Sequence, residues 1–340
     1  MDKPTLLYLP SQSHTDLVFE PKVWRRLSRL TNLVKWDASV PCNSENLAAR
    51  IADADMLVTA WGSPKVATDA LNRGTRLKLI AHAAGSVRFI LTIEDVKNIL
   101  IPRGIRVFSG NRAIAYNVAE STIGMMIMGA RHWVNHALAY RERGVWRDPA
   151  IPKNAQGLLG ATVGLVSCST VAREVIPLLR PFRTKVLVYD PFLKEEEAKR
   201  LRVKLVDLET LFRESHIVSL HLPLLPETEK LIKAEHLKLM RNGSVLVNNS
   251  RGKVLDHDAL YQEAKTGRIT VVLDVTDPEP LPKDHPLRPL PNAIVTPHVA
   301  GAGFYGYFQI GATLVKAIVA TIAGKPFEGE VPLQRLERVA

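Results

Sequence analysis

Residues 161 to 173 read Ala-Thr-Val-Gly-Leu-Val-Ser-Cys-Ser-Thr-Val-Ala-Arg. An apolar run, a short polar break and an amphipathic run follow one another, which predicts a strand, a tight turn and a helix. That succession is the setting of a dinucleotide-binding fingerprint. Its three glycines serve the tight turn, the approach of a pyrophosphate to the backbone, and close helix–strand contact. Here Ser167, Ser169 and Ala172 stand in those places. Ala is accepted at the third position. Ser169 brings a hydroxymethyl group to the phosphates, either crowding them or donating to them. Ser167 is the costly departure if its backbone needs positive φ. The helix start still offers open amide groups and a positive dipole end, so Ser169, Thr170 and Val171 are the expected phosphate cradle.

The same rhythm runs through the whole chain. Leu6 to Leu9, Met56 to Ala60, Leu77 to Ala84 and Arg106 to Ser109 read as buried strands, separated by helical patterns such as Ser44 to Ile51 and Ile93 to Leu100. A second series follows at Thr162 to Ser167, Lys185 to Tyr189, Ile217 to Leu222, Ser244 to Asn249, Ile269 to Val275 and Ala293 to Thr296. Near-continuous apolar strands alternating with helices imply parallel sheets covered on both faces. Two series predict two doubly wound, Rossmann-like α/β domains with a cleft between them. Long helical patterns at Tyr116 to His136 and Phe304 to Ile322 flank the second series. They suggest a nucleotide domain over 113–303 and a substrate domain from 1–112 plus 304–340, with the ligand in the cleft.

The fingerprint needs an acid at the end of the next strand, about 20 residues on, to bind the ribose hydroxyls. Asp190, closing Val186-Leu187-Val188-Tyr189, occupies that place. It favours NAD and disfavours the 2′-phosphate of NADP.

The 340 residues carry a net charge of +11. The Lys and Arg are scattered, without interleaved aromatic residues, so a nucleic-acid partner is not expected and a mild pull on acidic metabolites is. No run reaches the ~18 consecutive apolar residues of a membrane span, no secretory pattern opens the chain, and the two cysteines, Cys42 and Cys168, are far apart. Those features lead us to expect a cytoplasmic protein with no membrane partner.

Three polar segments follow strands of the second series: Val247 to Gly252, Leu273 to Leu281 and Ile294 to Gly301. Ligand-facing residues of an open α/β sheet collect at such strand ends. An Arg, a Glu and a His from three successive strand ends make an acid–base site. Together with Leu220-His221-Leu222-Pro223-Leu224-Leu225-Pro226-Glu227-Thr228 and Val186 to Pro191, these segments resemble the D-isomer-specific 2-hydroxyacid dehydrogenase family, which includes phosphoglycerate dehydrogenases and glyoxylate/hydroxypyruvate reductases. Asp274 to Leu287 is most similar to the glyoxylate/hydroxypyruvate branch.

The resemblance implies an NAD-dependent oxidoreductase that interconverts a small 2-oxo acid and its D-2-hydroxy acid, with no metal. It makes His298 the general acid/base, Glu279 its carboxylate partner, and Arg251 the group that holds the substrate carboxylate. Arg suits that task because its fork binds carboxylates bidentately and stays charged. Asp274 matches the residue beside the nicotinamide carboxamide. Leu222, Pro223 and Thr228 match the loop under the cofactor, and Asn249 and Ser250 lie on its nicotinamide side. Ala83-Ala84-Gly85-Ser86-Val87 aligns with the loop whose amides hold the substrate carboxylate, so Ala84, Gly85 and Ser86 are the expected contacts. Ala83 and Val87 replace a Gly and an Asp usual there. The adjacent Arg88 either favours a second negative charge or is an exposed cation. Asn117-Val118-Ala119-Glu120 resembles the start of a helix that packs across a two-fold axis in relatives, which implies a homodimer. The alternative is a non-catalytic, dinucleotide-sensing or corepressor-like protein on the same fold.

Overall fold

The computed structural model describes residues 3–151 and 156–338. The chain falls into two compact units, Met1–Asn117 with Ala302–Ala340, and Val118–Gly301. The first unit holds five strands, β1 (Thr5–Tyr8), β2 (Asn32–Lys35), β3 (Met56–Thr59), β4 (Leu79–His82) and β5 (Arg106–Ser109), all parallel and ordered β2-β1-β3-β4-β5. The second holds β6 (Thr162–Val166), β7 (Lys185–Tyr189), β8 (Lys204–Leu205), β9 (Ile217–Leu220), β10 (Val245–Asn248), β11 (Thr270–Leu273) and β12 (Ala293–Val295). They are parallel in the order β12-β11-β10-β9-β6-β7-β8. Each unit is therefore a doubly wound α/β fold. In each, the chain leaves the first strand to one side and later returns on the other. This reversal puts a switch point between β1 and β3, and another between β6 and β9. Crevices outside the carboxyl ends of the strands open at such points.

The inner strands are largely apolar because both of their faces are covered. In β1, Leu7 packs with Leu57, Ile80 and Val107 on one face, while Leu6 and Tyr8 pack with Met56, Val58, Leu79 and Phe108 on the other. In the second sheet Val163, Leu165, Val245 and Val247 share one face, and Val166, Val218, Leu246 and Leu273 the other. The two-residue period of a strand splits each apolar run between two cores. The helix Phe304–Ile322 has the length and apolarity of a membrane span. Its Ile310, Leu314, Val315, Ala317 and Ile318 are buried against Leu6, Val18 and Leu27 in the core of the first unit.

Three differences from the sequence reading have local causes. The strands β2 and β8 carry no continuous apolar run because they are edge strands, and the residues of β2 are largely exposed. The long pattern at 116–136 is two helices, Asn111–Ala130 and Trp133–Arg143. His132 between them takes φ 52°, a left-handed backbone that a right-handed helix cannot continue through. The pattern at 93–100 widens into a π-type turn over Val96–Leu100 just before Pro102, whose missing amide disturbs the hydrogen-bond ladder.

Candidate active site

Strands β10, β11 and β12 are neighbours and parallel, so the segments leaving their carboxyl ends share one edge of the sheet. Arg251, Glu279 and His298 lie on those three segments. His298 Nδ1 stands 2.6 Å from Glu279 Oε1. A carboxylate only accepts, so Nδ1 carries the hydrogen and Nε2 is left for a ligand. Both side chains are about half exposed, 53% for His298 and 41% for Glu279. Arg251 is partly buried and donates from Nη1 to the Ser250 carbonyl at 2.6 Å. Burial pulls its pKa down, and the charge of Glu279 pulls it back up.

The backbone around these groups is held by hydrogen bonds from neighbouring side chains. His298 adopts φ 55°, a region that costs a non-glycine residue about 1–2 kcal/mol. Asp274 stabilises it. Its buried carboxylate accepts from Thr296 Oγ1 at 2.6 Å, Val299 N at 2.9 Å and Ala300 N at 2.8 Å, and its carbonyl accepts from His298 N at 2.9 Å. Asp274 thus ties down both sides of His298, a positioning role that the sequence reading, which put it beside a carboxamide, did not include. Asn248 does the same for Arg251. Its Oδ1 accepts from Ser250 N and Oγ, and its Nδ2 donates to the Arg251 carbonyl at 3.0 Å. Behind Arg251, a Cβ on Gly252 would come 1.9 Å from the Thr276 carbonyl oxygen, so only glycine fits. His257 Nε2 accepts from Asp277 N at 3.2 Å and steadies the segment that carries Glu279. Sequence reasoning missed Asn248, His257 and Thr296. The available signal for Asn248 and Thr296 was a polar residue at the end of an apolar strand.

At the β6–β9 switch point, Ser167 takes φ 78°, the left-handed turn that the fingerprint reserves for glycine. Its hydroxyl lies 3.2 Å from Asp190 Oδ2, which also accepts from Cys168 N at 2.7 Å, while Asp190 Oδ1 accepts from Phe192 N at 2.8 Å. Asp190 therefore braces the strained turn. Ser169 is the N-cap of the helix Thr170–Leu179, and its side chain makes no capping bond. Ala172 is fully buried, as close helix–strand contact requires. Ser167→Ala keeps the Cβ in the left-handed turn and removes the hydroxyl, whereas Ser167→Gly removes both. We expect the Ala variant to be the less stable by about 1 kcal/mol. Urea midpoints check this, and the opposite order would show that the turn exacts no cost.

On the β9 side, Leu222 is buried and Pro223 partly so. The Thr228 hydroxyl donates to the Pro223 carbonyl at 2.6 Å and accepts from Leu225 N at 2.8 Å, so it staples the loop. Among the enclosed polar atoms without a partner are His221 Nε2 and Asn249 Oδ1, although Asn249 Nδ2 donates to Thr122 Oγ1 at 2.6 Å. In the first unit, Ala84 and Ser86 are buried beside Gly85, whose carbonyl accepts from Ser109 Oγ at 2.6 Å. Arg88 is exposed.

Comparison with known proteins follows the same lines. Residues 123–300 match the family described as D-isomer specific 2-hydroxyacid dehydrogenase, NAD binding domain. A D-3-phosphoglycerate dehydrogenase of Methanocaldococcus jannaschii is 31% identical over 94% of this chain and 60% of its own. This chain therefore spans about three fifths of that relative's length. A hydroxypyruvate reductase of Thermotoga maritima is 34% identical over 81% of this chain and 87% of its own. The crystal structure of the TT0316 protein of Thermus thermophilus superposes with a TM-score of 0.71 at 29% identity, covering 96% of this chain and all of that one. The chain belongs to the D-isomer specific 2-hydroxyacid dehydrogenase family, oxidoreductases that act on a CH–OH group with a nicotinamide dinucleotide.

Proposed function

We propose that this protein reduces a small 2-oxo acid to its D-2-hydroxy acid, and reverses that step, with Arg251, Glu279 and His298 as its catalytic residues. The observation that carries the reading is the 2.6 Å pairing of His298 Nδ1 with Glu279 Oε1 on a backbone turn that Asp274 holds in a strained conformation. A pure binding module has no use for such a pair. Bound nicotinamide supplies the hydride. In reduction, His298 gives the proton on Nε2 to the carbonyl oxygen, and Glu279, accepting from Nδ1, keeps the ring oriented. Arg251 binds the substrate carboxylate and polarises the carbonyl. The Ala84-Gly85-Ser86 segment supplies amide donors to the same carboxylate.

The residues of the second unit fit a dinucleotide. The helix start at Ser169, Thr170 and Val171 faces no capping side chain, and two orphaned atoms await partners: Asn249 Oδ1, an acceptor, and His221 Nε2, a donor or acceptor according to its tautomer. Leu222, Pro223, Thr228, Ser250 and Asp274 complete the proposed cofactor set. Asp190 favours NAD over NADP, because a carboxylate at that strand end repels a 2′-phosphate. The unpaired Cys42 and Cys168 fit a reducing, cytoplasmic setting. By family likeness the active form is a homodimer.

Absorbance assays with glyoxylate, hydroxypyruvate and pyruvate test the reading. NADH oxidation is expected with at least one of them, at a kcat/KM well above that with NADPH. Light scattering on the same sample is expected to give twice the chain mass. Absence of turnover with every 2-oxo acid, while NADH still binds, would leave the sensing alternative in its place.

A further inference from the structure

One buried imidazole of the second unit links two of the three catalytic segments through its two ring nitrogens. His257 opens the helix His257–Ala264 and is 9% exposed. Its Nδ1 lies 3.1 Å from the Leu255 carbonyl oxygen, and its Nε2 lies 3.2 Å from Asp277 N. A carbonyl only accepts and an amide only donates, so the hydrogen sits on Nδ1 and Nε2 offers its lone pair. Only the neutral ring, in that one tautomer, makes both bonds. Leu255 closes the turn Gly252–Val254 that follows Arg251, and its own amide donates to the Gly252 carbonyl at 3.1 Å. Asp277 opens the run Asp277-Pro278-Glu279-Pro280. Proline has no amide, so only two N–H groups can tie that run down, and His257 takes one of them. The Thr276 hydroxyl donates to the Pro278 carbonyl at 2.8 Å and stiffens the step between Asp277 and Glu279. The His257 ring is thus the strut between the turn that presents Arg251 and the run that presents Glu279.

What a proton does here follows from the geometry. It can enter the ring only at Nε2, where the new N–H faces the N–H of Asp277. That bond is lost and two donors oppose each other, while Nδ1 keeps its hold on Leu255. Burial disfavours the charged ring, and the nearby groups pull both ways. The charge of His285 opposes the proton, whereas the Leu255 carbonyl, Asp277 and Asp256 favour it. Burial is the largest of these, so the ring takes up its proton only below the ordinary histidine value of about 6.5. We propose that His257 is a positioning residue for the reaction. Neutral, it holds Glu279 in register with His298 and with the Arg251 turn. Protonated, it lets the Glu279 run go, so reduction declines in acid, although acid supplies the proton that His298 delivers. This inference rests on the reductase reading above.

The test follows kcat for the best 2-oxo acid with NADH, per folded molecule, from about pH 7.5 to about 5, a window above the ordinary carboxylate range. The wild type is expected to decline several-fold towards the acid end. His257→Gln brings a side-chain carbonyl to Asp277 N and cannot take up a proton, so its profile should be flat there. His257→Leu keeps bulk without an acceptor, and its kcat should be lower at every pH by about 10- to 100-fold, the cost of a misplaced catalytic group. His285→Asn removes the other nearby imidazole and should keep the wild-type decline. A purely structural role would lower the stability of the His257 variants without changing the shape of the profile. A readout without turnover is the low-field NMR signal of the His298 Nδ1 hydrogen, which the 2.6 Å bond to Glu279 shifts and protects. It should fade in the wild type over the same pH range and persist in His257→Gln. That behaviour, with no acid reduced, would uphold this proposal and sink the reductase reading. Turnover whose acid decline is missing from the wild type, survives in His257→Gln or vanishes in His285→Asn would overturn the proposal and leave that reading standing. So would a His257→Leu protein as fast as the wild type. A signal that persists in the wild type, or fades equally in His257→Gln, also overturns it.

Discussion

Replacing His298 by Ala is expected to lower kcat for the best 2-oxo acid by about 10²–10⁴-fold, the usual worth of a positioned acid–base group. The dissociation constant for NADH should stay within a few-fold, because the ring is assigned to proton transfer. Glu279→Gln should fall between wild type and His298→Ala. The amide can still accept from Nδ1, but one of its two orientations presents an N–H there, so the ring is held less firmly. Single-turnover rates with prebound NADH separate this from binding effects. A His298→Ala protein that turns over within tenfold of the wild type would remove His298 from the mechanism.

That assignment shows how far residues alone can lead. The repeated apolar runs sufficed for the two parallel sheets, because a strand covered on both faces has to be apolar along its length. The edge strands β2 and β8 escaped notice for the same reason: one side of an edge has no neighbouring strand, and the residues of β2 are largely exposed. The turn at Ser167 was legible as a conflict, a residue with a Cβ where the pattern wants glycine, and the structure meets that conflict with a φ of 78° and a brace from Asp190. The pairing of His298 with Glu279 was legible only through family resemblance, since nothing local joins positions 19 residues apart. Least legible were the residues that hold others in place. Asp274 reads as a ligand contact in sequence, yet four of its hydrogen bonds go to the segment 296–300. His257 was invisible as a strut, because only the pairing of β10 with β11 brings the turn after Arg251 beside the run that carries Glu279.

Two buried imidazoles make the protein sensitive to mild acid, and the sign can be worked out. Burial lowers the pKa of His221 to about 3 and, with the charge of His14 as a smaller cause, that of His82 to about 4, from 6.5 for the free side chain. Above pH 7 both are neutral in folded and unfolded chains alike and contribute nothing to the pH dependence. As the pH falls through 6.5, the unfolded chain takes up a proton at each position and the folded chain does not, so stability falls with pH until the folded values are reached. Between pH 7 and 5 each group is expected to remove about 2 kcal/mol. His14, His216 and His257, also lowered by burial, add losses of the same sign. The carboxylates held low by hydrogen bonds, such as Asp207 and Glu330, lose their stabilisation only as the pH drops below about 4–5, so they leave this window to the histidines. His82 lies in the first unit and His221 in the second, so unfolding is best followed by probes that report on each unit separately. His221→Asn should flatten the acid-side slope of the second unit alone, and His82→Asn that of the first, whatever either does to stability at pH 7. A slope unchanged by both substitutions would mean that these rings are protonated in the folded protein, and would place the acid sensitivity elsewhere.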